Sequence, residues 1–291
     1  MTSLEIRNIQ KRYGSFELKN LSIRLEEGQI MGFIGPNGAG KSTTIKAVLN
    51  QIRLDAGEIQ LWGKDHIQYE TEMKNRIGVV LDEGHFYGHL SLERMKNMIA
   101  PFFSAWDERE YRRYIAMFRL EQGKKISELS KGMRMKYAIA LALSHKADLL
   151  IMDEPTSGLD PLVREELLEL LRRVIEDERK SVFFSTHITS DLDKVADRIA
   201  LLHNGRLLFD RPKDELLDGH AIVKGPGSLL TQAARALFVG VREGEYGFDA
   251  LTADRAAAKR LLGEQVIFER PTVEDLMLHY VRREDGHVLA G

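Results

Sequence analysis

Leu4–Arg12 and Phe16–Leu25 alternate apolar and polar residues around Gly14, which predicts a half-buried antiparallel strand pair. The run Gln29–Ile34 hardly alternates, as expected of a strand covered on both faces. A glycine-rich turn follows. Next, Ser42–Gln51 begins a helical pattern in which Ile45, Val48, Leu49 and Ile52 recur. Three amphipathic helical segments are expected at Ser91–Phe103, Asp107–Phe118 and Lys131–His145, separated by Pro101, Asp107 and the stretch 123–130. Strand and helix then alternate: Leu149–Asp153, Pro161–Glu176, Ser181–Thr186 and Asp191–Ala196. Arg198–His203 and Arg206–Asp210 form a hairpin around Asn204-Gly205, a dipeptide suited to positive φ. The pattern is that of an α/β fold with a mainly parallel sheet wrapped by helices.

Gly219, Gly225, Pro226 and Gly227 cluster near Asp218–Gly227, which places a boundary between 1–218 and a small α+β extension, 219–291. The extension is expected to hold strands at Ala221–Lys224, Phe238–Arg242 and Val266–Glu269. An alanine-rich helix at Ala253–Leu262 and a final helix from Pro271-Thr272 complete it.

Composition narrows the chemistry. Of 291 residues, 43% are hydrophobic, enough for a large core. The formal charge of −2 advertises no nucleic acid, and none is expected as a partner. The absence of cysteine removes disulfides, thiolate metal sites and cysteine catalysis. No apolar run approaches the roughly 18–20 residues of a membrane span, and MTSLEIRNIQ lacks the pattern of a secretory signal. A soluble cytoplasmic chain is expected.

Gly35-Pro-Asn-Gly-Ala-Gly-Lys-Ser42 fits the phosphate-loop pattern G-x-x-x-x-G-K-[ST], between a buried strand and a helix. Glycines let backbone N–H groups curl toward phosphate oxygens, Lys41 adds a point charge, and Ser42 offers a hydroxyl to Mg²⁺. The strand Leu149–Asp153 ends in Asp153 and Glu154, whose side chains should serve different tasks: Asp153 toward metal, Glu154 toward an attacking water. His187 ends the next strand, placed to touch the γ-phosphate or that water.

In this order the motifs resemble the nucleotide-binding subunit of an ATP-binding cassette (ABC) transporter, over residues 3–217. The resemblance implies a P-loop ATPase core with an antiparallel β subdomain and a helical subdomain at about 88–146. It implies ATP and Mg²⁺ held by Gly35, Pro36, Asn37, Gly38, Ala39, Gly40, Lys41, Ser42 and Thr43. Tyr13, 22 residues before Gly35, matches the family's adenine-stacking aromatic. Leu129-Ser130-Lys131-Gly132-Met133 stands where the family has its Leu-Ser-Gly-Gly-Gln signature, so Ser130 and Gly132 are expected to close over a nucleotide held by another subunit. Ser157–Asp160 matches the D-loop, with Asp160 linking the two sites, and His187 matches the switch histidine.

Lys131 and Met133 depart from the signature, and Asp82 replaces the Q-loop glutamine, where it is expected to reach metal or water while adding a negative charge near the triphosphate. These features are similar to the ATPases of bacterial two-component exporters of antibiotics and peptides, as is the ending Pro271–Leu276. The resemblance implies an exporter subunit on the inner membrane face, with an integral-membrane permease as a separate chain and a homodimer or a paralogue as partner.

Rival readings are a regulatory module or a cytosolic ATPase without transport. Chromosome ATPases are disfavoured because only 87 positions separate Ser42 from Leu129, without sustained heptads. GTPases are disfavoured because no Asn-Lys-x-Asp occurs. The basic residues Arg109, Arg112, Arg113, Arg119, Lys124 and Lys125 lie in the insert that, by the resemblance, docks the membrane subunit. Interspersed with acids, they read as a solvated helix face ahead of a partner surface, and Phe102, Phe103 and Trp106 read as core ahead of a groove.

Overall fold

The computed structural model describes residues 1–81, 86–178 and 180–289; Asp82 lies outside them. Along the chain, β1 (Thr2–Tyr13), β2 (Phe16–Glu26) and β3 (Ile30–Ile34) lead into α1 (Lys41–Val48). Then come β4 (Ala56–Leu61), β5 (Lys64–Asp65), α2 (Glu70–Arg76) and β6 (Ile77–Val80). Helices α3 (Leu92–Ile99), α4 (Glu108–Met117) and α5 (Lys131–Ser144) precede β7 (Leu149–Asp153), α6 (Pro161–Glu178) and β8 (Ser181–Thr186). The order continues with α7 (Thr189–Val195), β9 (Arg198–His203), β10 (Arg206–Pro212), α8 (Lys213–Gly219), β11 (Ala221–Gly225) and α9 (Gln232–Arg235). It closes with β12 (Phe238–Gly244), β13 (Gly247–Thr252), α10 (Arg255–Leu262), β14 (Ile267–Glu269) and α11 (Val273–Leu289).

Among the described residues these strands make three sheets. The first, β2-β1-β4-β5, is antiparallel and contains the expected hairpin, with Ile6 opposite Ile23 and Tyr13 opposite Phe16. The second runs β10-β9-β3-β8-β7-β6, parallel except for the edge strand β10. Every residue of β3 and β8 is buried, which explains their unbroken apolar character. Phe33 and Phe183 touch at 5.1 Å between the rings, and burying side chains of this size contributes about 2–3 kcal/mol each.

Strand β3 lies between β8 and β9, while β7 and β6 continue on the far side of β8. Such a sheet, filled out of sequence order, leaves a crevice at the carboxyl ends of its strands. Helices α3–α5 form the helical region. Ser91 and Asp107 cap α3 and α4, accepting from Arg94 N and from Arg109 N and Glu110 N.

The segment Ser91–Phe103 is not one helix. It breaks after Ile99 into a 3₁₀ turn at 100–102, where Pro101 stands and cannot donate a backbone bond. That turn corrects the expectation for Phe102, which is 80% exposed, whereas Trp106 packs against the core as expected. The third sheet, β12-β13-β11-β14, is antiparallel, with α11 lying on β12, β13 and α7. Its apolar residues fall into two groups. Val223, Phe248 and Ala258 pack among themselves, but Ile222, Leu251, Val273 and Leu276 continue the core that holds α5, α6 and β8.

Candidate functional site

Parallel register assembles the crevice. Ile34 pairs with Thr186 on β8 and Leu201 on β9, and Asp153 pairs with Ser185. Residues just beyond those pairs, namely the loop from Gly35, Glu154 and His187, are therefore delivered to one edge of the sheet, strand by strand at about 4.8 Å. The loop rests tightly on that edge. A Cβ on Gly35 would sit 2.1 Å from the Leu202 carbonyl oxygen, so only glycine fits there. Gly40 turns the chain into α1 at φ +115°, a conformation that costs glycine little.

A cavity of about 400 Å³ opens here, lined by Phe16, Asn37, Gly38, Ala39, Gly40, Lys41, Ser42, Thr43 and Glu154. Ser42 is exposed and Thr43 half-buried beside it. Lys41 is only 6% exposed. Its Nζ donates to the Gly35 carbonyl at 2.7 Å and the Pro36 carbonyl at 3.4 Å, and stands 3.5 Å from Glu154 Oε1. The N-terminus of α1 carries no side-chain cap and no acid in its first turn. Its leading N–H groups and the Lys41 ammonium thus present a donor set suited to phosphate oxygens.

Glu154 stands one residue past β7 in left-handed backbone, φ +50°. Its N–H donates to the Ser185 carbonyl at 3.0 Å and to Ser185 Oγ at 3.2 Å. Its carboxylate is shared: Oε1 faces Lys41, while Oε2 accepts from the His187 N–H at 3.2 Å and lies 2.7 Å from His187 Nδ1. With a carboxylate there, Nδ1 carries a hydrogen and donates it to Oε2. Asp153 separates from this trio and accepts a hydrogen bond from Ser185 Oγ. The two acids therefore face different groups, as alternation along the strand suggests, and the turn at Glu154 widens their separation.

Tyr13 ends β1, 46% exposed, with Lys11 Nζ 5.2 Å from its ring centre. Its cross-strand partner Phe16, which sequence reasoning missed, lines the cavity, and its ring tip would lie 2.8 Å from a Cβ on Gly40. An aromatic just across a two-residue turn from Tyr13 was the available signal.

Ser130 caps α5, accepting from Met133 N at 3.2 Å, and is exposed. Gly132 is buried against α6, where a Cβ would lie 2.9 Å from Val163 Cγ1. Asp160 caps α6, accepting from Leu162 N at 3.2 Å and Val163 N at 3.1 Å. The Lys131 side chain lies along Gly158, its Nζ 3.4 Å from where a Cβ would be. Signature and D-loop residues thus meet one another. The structure gathers Lys41, Ser42, Thr43 and Glu154 around the cavity, with His187 against Glu154 and Asp153 turned to Ser185, whereas Ser130, Gly132 and Asp160 do not line it.

The family model described as ABC transporter matches residues 18–157. The chain is 32% identical to the bacitracin transport ATP-binding protein BcrA of Bacillus licheniformis, over 74% of this chain and 71% of that protein. It is 31% identical to the Nod factor export ATP-binding protein I of Burkholderia orbicola, over 74% and 72%. Among solved structures, an ATP-binding subunit of an ABC transporter superposes with a TM-score of 0.67 at 28% identity, covering 74% of this chain and 92% of that one. A dimeric ATP-binding cassette in a post-hydrolysis state, bound to ADP and Pi, shares the fold at a TM-score of 0.63 and 24% identity, over 72% and 98%.

Proposed function

The chain belongs to the ABC transporter family as an ATP-binding, ATP-hydrolysing subunit, and we propose that it powers an exporter by driving a separate integral-membrane permease through an ATP-sandwich dimer. The observation that carries this reading is the Glu154 carboxylate, held between Lys41 and His187 at the phosphate loop.

ATP is the substrate. Its phosphates suit the uncapped end of α1, where Lys41 can exchange loop carbonyls for phosphate oxygens with little movement. Glu154 is the general base that orients water and takes its proton, and His187 holds that carboxylate in position. Ser42 and Asp153 supply hydroxyl and carboxylate oxygens, the donor types a hard cation prefers, and would hold Mg²⁺. When bound, that ion offsets the charge that builds on the phosphates. Thr43 and the backbone of Pro36, Asn37 and Ala39 complete the loop, and Tyr13 is assigned to adenine.

Ser130 and Gly132 stand outside the cavity, which supports completion of each site by a second chain, either another copy or a paralogue. Asp160, at the start of α6 beside that signature end, is assigned to the link between the two sites. The name of the Nod factor export relative supports outward transport, and that of the bacitracin relative supports transport.

A groove of about 540 Å³ between α2, β6 and α5 supports docking of a permease segment. It is lined by Met73, Ile77, Phe102, Phe103, Leu141 and His145 among others, with Phe102 largely exposed. Charges on α4 support docking less well, since Arg112 and Arg113 pair with Glu108 and Glu110 of the same helix. No helix among the described residues is long and apolar enough to cross a membrane. A permease would therefore be what holds the chain at the cytoplasmic face.

Glu154→Gln tests the reading. Hydrolysis should fall by about 100-fold or more while ATP binding persists, and light scattering should show a dimer that forms only with ATP. Turnover near that of the wild type, or a monomer at saturating Mg-ATP, would overturn it.

A further inference from the structure

The turn between β9 and β10 is wedged beneath the phosphate loop. Gly205 N donates to the Ala39 carbonyl at 3.0 Å, and the Gly205 carbonyl accepts from Lys19 N at 2.8 Å. A Cβ on Gly205 would meet the Glu17 carbonyl oxygen at 1.8 Å, just as one on Gly35 would meet that of Leu202. Loop, turn and β2 therefore interlock through backbone atoms, and a shift of the turn must be passed to the loop.

His203 stands immediately before this turn and is 8% exposed. Its Nε2 lies 2.8 Å from Asp285 Oδ1 on α11. The carboxylate makes Nε2 the donor and holds the ring in one orientation. The helix that presents Asp285 is itself anchored. Val273 and Leu276 are fully buried, Val273 N donates to Asp193 Oδ1 on α7 at 3.2 Å, and Tyr280 packs edge-on against Phe209 of β10 at 5.0 Å. Through His203, the last helix reaches the backbone that carries the phosphate loop.

We infer that Asp285, acting through His203, is a positioning residue for the phosphate loop, so that the C-terminal helix sets the affinity for ATP. This rests on the reading of the loop as the ATP site. Donors displaced by a slackened turn bind ground state and transition state equally less well, which raises KM and spares kcat.

The test is steady-state kinetics of the full chain with Mg-ATP, alongside direct titration of a fluorescent ATP analogue. Asp285→Ala should raise both KM and Kd about three- to tenfold, the size expected for one net intramolecular hydrogen bond at a half-exposed carboxylate, with kcat within about twofold. Asp285→Glu should restore most of the loss. The Asp285 side chain is 54% exposed, so the variant should fold, and a melting curve checks that. His203→Gln should raise KM similarly, and the double variant should add little, since the two act as a unit. An unchanged KM in Asp285→Ala, or a fall in kcat with KM unmoved, overturns the inference and leaves the ATP site standing if the wild type still binds. A wild-type chain that binds no ATP removes both.

Discussion

The N-termini of α1 and α5 present the same physical device in two conditions. At α1 the leading N–H groups have no side-chain cap, a buried lysine stands among them, and the loop before them is held open by glycine. At α5 the cap is supplied from within, because Ser130 already accepts from Met133 N. An uncapped helix end beside a buried ammonium is a standing demand for an anion. A capped end makes a weaker demand: one of its donors is already satisfied by the Ser130 oxygen, which leaves the hydroxyl hydrogen to meet an anion brought to it. Affinity therefore belongs to α1, and a conditional contact to α5.

The sharpest way to break this contrast is Lys41→Ala. It should weaken ATP binding by about 30-fold or more, equivalent to about 2 kcal/mol for a charge-assisted contact, read by calorimetric titration. Unaltered affinity would deny α1 its role. Ser130→Ala sharpens the other side. It should cost about 1 kcal/mol of stability for the lost cap, seen as a lower Tm, and turnover should fall about tenfold for one lost contact to a charged group. ATP affinity of the single chain should stay the same; a parallel loss would merge the two ends into one function.

The smallest effect concerns the opposite end of α5. Burial pushes His145 down to about 4, outweighing its hydrogen bond with the Asn75 carbonyl. The folded state keeps this histidine neutral where the unfolded chain, near 6.5, binds a proton. Stability is therefore complete above pH 6.5 and lost as pH falls toward 4, about 1 kcal/mol of it by pH 5.5. Urea unfolding at pH 5.5 and 7.5 should show that difference, and His145→Gln should flatten it.

Much of this molecule was legible in one dimension, for identifiable reasons. β3, β7 and β8 are covered on both faces, so their apolar runs are continuous and bounded. The phosphate loop declares itself because glycine, lysine and serine are each required at a set spacing.

What escaped was tertiary. β4 begins with three exposed residues and shows its alternation only at Ile59 and Leu61. β13 is six residues long, yet it is a central strand of the third sheet. Adjacent aromatics read as core at Phe102, but the 3₁₀ turn around Pro101 directs one of them outward. The Asn204-Gly205 turn was readable. Its partner Asp285, far along the chain, was not, because nothing local ties a surface acid to a histidine on another element.

Ile222, Leu251, Val273 and Leu276 fill the same apolar cluster as Leu167, Leu171 and Phe184. The tail is therefore not an interchangeable attachment. Grafting it onto a related motor, or clipping it away, would strand oily surface on both pieces. Diversification among such tails should be confined to exposed positions such as Tyr246 and Ile267, which belong to neither apolar cluster.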